Sequence, residues 1–173
     1  MGGILLIPIT GIDPQILEYL QLNLRNIFQV EVHIGESIPI PSFAYNGSRG
    51  QYNSTLILQR TSKPKGYDKV LLIADFGLYT EGLNFVFGEA DILKGIAIIS
   101  LARLREEFYG LPSNEDLFKE RALKEAVHEL GHLYGLRHCT DPDCVMNFSN
   151  TLYDTDRKSC KFCFRHREAI LKR

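Results

Sequence analysis

The chain has 173 residues, 45% of them hydrophobic and 24% charged, enough for one domain with a real core and too apolar for disorder over most of its length. Twenty Lys and Arg against 21 Asp and Glu give a net charge of -1, which argues against a nucleic-acid protein. The longest apolar run, from Ile4 to Ile9, is far shorter than the ~20 residues of a membrane span.

That run has no basic residue before it and no small-residue cleavage site after it, so it does not read as a signal peptide. A soluble, cytoplasmic protein is expected. In chain order, Ile4 to Ile9 reads as a strand buried on both faces. Asp13-Pro14 forms an N-cap with Pro at the first helical position. Ile16, Leu17, Leu20, Leu24 and Ile27 follow at helical spacing. Gln29 to Ile34 alternates and reads as a second strand. Ser37 to Gly50, with Pro39, Pro41, Gly47 and Gly50, is loop. Gln51 to Thr61 fits either helix or strand, with helix favoured. Lys69 to Asp75, Asn84 to Phe87 and Gly95 to Ser100 read as strands. This order implies an α/β fold with a mixed sheet and says nothing about chemistry.

Leu111 to Asn114 breaks the chain, and Ser113 with Asp116 suggests a capping box. Leu117, Leu123, Ala126, Val127, Leu130 and Tyr134 then predict a helix from about Asn114 to Tyr134, ended by Gly135. Near its end stand His128, Glu129 and His132. Histidines four apart project from one helix face, a spacing that suits one tetrahedral zinc. Gly135 lets the chain turn and brings His138 back toward the same ion. The full pattern is His-Glu-x-x-His-x-x-Gly-x-x-His. By chance the short form is expected roughly 0.01 times in such a chain and the full form about 0.00002 times. The competing reading is solvated His and Glu near a helix C-terminus.

With Cys139 directly after the third histidine, Cys144-Val145-Met146, and Cys160-Lys161-Phe162-Cys163, these motifs resemble the metzincin clan of zinc peptidases, and most closely its archaemetzincin branch. The resemblance implies a compact α/β domain with a twisted five-stranded mixed sheet. It also implies an active-site helix and a Met-turn in which Met146 packs beneath the metal. It points to extended peptide bound along an edge strand, for which residues 84–89 are the candidate by position. In some metzincins a downstream Tyr lies near the metal, a position Tyr153 could fill, with a solvated loop Tyr as the favoured alternative.

The cysteines are spaced Cys-x4-Cys, fifteen residues, Cys-x2-Cys, close to a four-thiolate structural zinc site. Disulfides and free thiols are the alternatives. Only 35 residues follow His138, too few for a core of their own, and a zinc on Cys139, Cys144, Cys160 and Cys163 would staple them. The chain thus divides into an N-terminal α/β part, 1–135, and a short C-terminal part, 136–173. His33 and His166 fit no ligand spacing, and Arg165-His166-Arg167 reads as a solvated helix face.

Three histidine nitrogens leave a fourth zinc position open for water, whose pKa the metal lowers toward ~7. Glu129 would take that proton as general base and pass it to the leaving amine. The expectation is a metallopeptidase with two zincs per chain, one catalytic and one structural. Peptide or protein is the expected substrate, without nucleic acid or membrane, and a monomer is expected. A catalytically silent, zinc-stabilised interaction module is the alternative. A second, weaker alternative is a zinc-ribbon-like nucleic-acid contact through Lys158, Lys161, Arg165 and Arg167. Asp141, Asp143, Asp154 and Asp156 count against it.

Overall fold

The computed structural model describes residues 2–172. Strand β1 (Ile4–Pro8) is buried throughout, and successive side chains enter two different cores. Ile4 and Leu6 join one, Leu5 and Ile7 the other, as the two-residue period of a strand requires. Helix α1 (Pro14–Phe28) starts where its sequence signals fall: the Asp13 carboxylate accepts from the Gln15 amide at 2.9 Å, and Pro14 takes the first position. Gln29 closes the helix in the left-handed region, φ 56°. Strand β2 (Val32–Ile34) is therefore shorter than the Gln29–Ile34 expectation, because Gln29 serves the helix as its cap.

Two short strands follow, β3 (Tyr45–Asn46) and β4 (Gln51–Asn53), and then α2 (Ser54–Arg60). The ambiguous segment 51–61 thus holds both structures. The boundary is set by Asn53, whose side chain accepts from the Leu56 amide at 3.0 Å and starts the helix. After β5 (Lys69–Ala74) and β6 (Leu78–Tyr79) come β7 (Gly88–Asp91) and β8 (Ile96–Ser100). The main sheet has the order β2-β1-β5-β8-β7. Its first four strands run parallel, and β7 is antiparallel at the edge. The strand expected at 84–87 does not form. Val86 donates to the Leu78 carbonyl at 3.0 Å in an isolated bridge, which draws the segment toward the small sheet β3-β4-β6. The edge strand begins only at Gly88.

Helix α3 (Glu115–Leu133) packs with α1 on one face of the main sheet, and α2 covers the other. Its cap is Asn114, not the expected Ser113: the Asn114 side chain accepts from the Leu117 amide at 3.1 Å. From Arg121 onward almost every α3 residue is buried, including Lys124, Glu125, His128 and Glu129. A helix buried on all sides needs partners for its polar groups, and residues after Gly135 supply them. Helix α4 (Leu152–Arg157) opens with a Thr151–Asp154 capping box. Its Asp156 takes two hydrogen bonds from Arg121, at 2.7 and 2.8 Å, and Thr155 donates to Glu125 at 3.0 Å. Helix α5 (Phe164–Leu171) ends the described chain. Among the described residues no helix is long and apolar enough to cross a membrane.

Candidate metal centres and catalytic site

The last turns of α3 carry His128 and His132 on one face. Gly135, at φ 86°, reverses the chain, and the Leu136 amide closes the turn on the Gly131 carbonyl at 3.0 Å. His138 returns to the same point. The Nε2 atom of His132 lies 3.2 Å from that of His128 and 3.2 Å from that of His138. Nitrogens held tetrahedrally at zinc-ligand distance are about 3.3 Å apart, so the three imidazoles fit one zinc ion.

Their other nitrogens support that role. Nδ1 of His128 donates to the Val145 carbonyl at 2.8 Å, and Nδ1 of His132 donates to the Leu136 carbonyl at 2.8 Å. A carbonyl only accepts, so each Nδ1 carries the proton and each Nε2 keeps its lone pair free for a metal. Burial, reinforced by the Lys158 charge, pushes the His128 pKa well below the ordinary histidine value. His132 and His138 are shifted the same way, again chiefly by burial.

Glu129 is buried against the edge strand. A Cβ at Gly88 would lie 2.8 Å from the Glu129 Cγ and 2.7 Å from the Ile98 carbonyl, so only glycine leaves room there. Burial and the neighbouring Glu125 raise the Glu129 pKa well above the usual carboxylate range, while Lys158 pulls it back. Lys158, 2% exposed, is buried beside His128. Its Nζ donates to the Asn147 carbonyl at 3.0 Å and stands 3.4 Å from Nδ1 of His128. A cavity of about 90 Å³ opens beside Glu129, with Phe85, Phe87 and Phe148 in its walls and Glu125 and Lys158 also lining it. Met146 is fully buried, and its sulfur approaches so closely that a Cβ on Gly131 would lie 2.5 Å from it.

A second cluster adjoins the first, since Cys139 follows His138 directly. The ligand atoms of Cys139, Cys144, Cys163 and His166 all lie within 4.8 Å of one another. The Sγ atoms of Cys139 and Cys163 are 3.9 Å apart, and Cys144 Sγ is 3.5 Å from Nδ1 of His166. This departs from the expected set in two places. Cys160 is outside the cluster, and His166, read as part of a solvated face, is inside it and 8% exposed. The cause is local geometry: Cys163 stands at the N-cap position of α5 and His166 three residues further on, whereas Cys160 lies in a bend before the helix. No disulfide forms among the four cysteines. Burial pushes the Cys144 thiol up to about 11.

Residues 41–172 match peptidase family M54. An archaemetzincin of Methanocaldococcus jannaschii is 49% identical over 156 residues, covering 90% of this chain and 86% of its own. The chain belongs to the archaemetzincins, peptidase family M54. Membership makes it a zinc metallopeptidase acting on peptide or protein. The archaemetzincin of Archaeoglobus fulgidus, solved in complex with malonate, superposes with a TM-score of 0.85 at 37% identity, covering 98% of this chain and 99% of that one. A zinc-dependent peptidase from Methanocorpusculum labreanum superposes at 0.86 with 28% identity, covering 97% and 100%.

Tyr153 is 73% exposed on α4 and takes no part in lining the cavity. Lys158 is buried, so it cannot serve a nucleic-acid surface. His33 is exposed beside Tyr67, as its lack of ligand spacing suggested. Sequence reasoning missed Glu125, Lys158, Gly88 and Gly131. Glu125 sits one helical turn before Glu129 and could have been found on that face; Lys158, in a polar run, carried no signal.

Proposed function

We propose that this archaemetzincin hydrolyses peptide bonds with Glu129 as general base, a catalytic zinc on His128, His132 and His138, and a second, structural zinc at the cysteine cluster. The observation that carries the reading is the convergence of three Nε2 atoms, two of them on rings whose Nδ1 protons are already committed to carbonyls, beside a buried carboxylate on the same helix. A zinc held by these three histidines would supply Lewis acidity to polarise the scissile carbonyl and acidify a water. Glu129 takes the proton of the attacking water and delivers it to the leaving amine nitrogen. Its environment suits both steps: a carboxylate lifted by burial is a stronger base, and once protonated a competent acid. Gly88 sets the position of this carboxylate, because the side chain rests on bare backbone.

An extended peptide would pair with the free edge of β7, antiparallel to the sheet's last neighbour, with a side chain entering the cavity between Phe85, Phe87 and Phe148. At about 90 Å³ that cavity admits a small group only. Met146 packs under α3 as the Met-turn, and Gly135 forms the turn that returns His138. The structural zinc needs thiolates, which suits a reducing cytoplasm, and nothing in the reading calls for more than a monomer.

The test is zinc content together with turnover of a peptide library. Wild type and Glu129→Ala are expected to hold two zincs per chain, and the Glu variant to lose turnover by on the order of 10²–10⁴-fold. His132→Ala is expected to hold one zinc and to be inactive. One zinc per chain in the wild type, or turnover that survives Glu129→Ala, would overturn the reading.

A further inference from the structure

We propose that the second metal centre is a three-cysteine, one-histidine site in which Nδ1 of His166, not the thiol of Cys160, is the fourth ligand. The inference rests on the second zinc of the proposed function and specifies its coordination. The distances match that ligand set. In a tetrahedral zinc site two sulfurs are about 3.8 Å apart, and a sulfur and an imidazole nitrogen about 3.5 Å. The structure gives 3.9 Å between Cys139 and Cys163 and 3.5 Å between Cys144 and His166.

Helix geometry explains the choice. Cys163 is the N-cap of α5 and His166 stands three residues on, so both side chains rise from the same end of the first turn. His166 is buried there, with the Cys144 thiol as its contact. Cys160 is held elsewhere. On either side of it the backbone is tied to the loop that carries Cys144: Ser159 N donates to Asp143 O at 2.9 Å, and Val145 N donates to Lys161 O at 2.9 Å. Its thiol lies toward Tyr19 of α1, near enough for its charge to add to the rise that burial imposes on that phenol's pKa.

Three thiolates and a neutral imidazole on Zn²⁺ leave one net negative charge, and four thiolates leave two. Arg165 Nη2 reaches Cys139 Sγ at 4.0 Å, and the buried Lys158 lies near enough to Cys144 for their charges to interact. The Cys163 amide donates to Cys144 Sγ at 3.3 Å, as a thiolate acceptor would invite.

The test is zinc content by mass spectrometry, with absorption spectra of the cobalt-substituted protein, for wild type, Cys160→Ser, His166→Ala and His166→Cys. Cys160→Ser is expected to keep two metals per chain and an unchanged thiolate-to-cobalt charge-transfer band. His166→Ala is expected to lose one metal to a competing chelator. His166→Cys is expected to regain it, with a stronger thiolate band. If His166→Ala does not fold, the other two variants still decide. Loss of a metal from Cys160→Ser, or a band weakened in it by about a quarter, would overturn the assignment. A wild type holding a single zinc that disappears with His132→Ala would instead remove the second zinc itself, and the proposed two-zinc reading with it.

Discussion

The part of the molecule up to Gly135 and the part after it cohere by different means. In the first, β1, β5 and β8 send alternate side chains into two apolar cores, and α1, α2 and α3 close over them. In the second, the buried apolar residues are few: Leu136, Cys139, Cys144, Val145, Met146 and Ile170. Its other buried residues are Thr155, Lys158 and His166, each of which meets a polar partner. Asp156 adds a paired contact with Arg121, and Arg121 in turn donates to the Leu104 carbonyl at 2.9 Å and to Glu106 at 2.7 Å. The three histidines of the proposed catalytic site straddle the junction. His128 and His132 come from the apolar-core part, and His138 comes from the polar tail. The tail also supplies the Val145 carbonyl that orients His128 and the sulfur of Met146 beneath Gly131.

Substitutions in each part sharpen the contrast. Leu72 is fully buried in β5, and Leu72→Ala is expected to cost 2–5 kcal/mol or so of global stability, about what leucine truncation in a core costs. Denaturant unfolding should show that loss while zinc content stays at two per chain. Cys163→Ser acts on the tail. It removes a proposed ligand of the second centre, and through the 139–146 loop it is expected to weaken zinc binding at the histidines by about 10–100-fold, the usual reach of an outer-shell change. Chelator competition read on the His-site metal measures this, and unchanged affinity would uncouple the two centres. Tyr153→Phe is the smallest case. Its side chain is 73% exposed and outside the cavity, so stability should move by no more than about 0.5 kcal/mol and turnover should not change.

The same contrast explains what the sequence could reveal. Strands β1, β5 and β8 are unbroken apolar runs, and burial on both faces leaves no other place for them. The histidine motif was legible because a helix fixes the spacing of His128 and His132, and Gly135 marks the turn that returns His138. The edge strand shifted to Gly88 because one bridge between Val86 and Leu78, at a separation the sequence does not encode locally, redirects 84–87. In the tail, Cys-x2-Cys and Cys-x2-His describe equally good ligand pairs. Which one is used depends on where α5 begins, and that is decided by tertiary contacts. Lys158 was unreadable for a related reason: a lysine in a polar run looks solvated until α3 and α4 close around it.

Hydrogen exchange on the zinc-loaded and the chelated protein tests the two-part account most directly. Amides of 136–172 are expected to lose protection when zinc is removed, while those of β1, β5 and β8 keep theirs. Equal protection of both parts with and without zinc would contradict it.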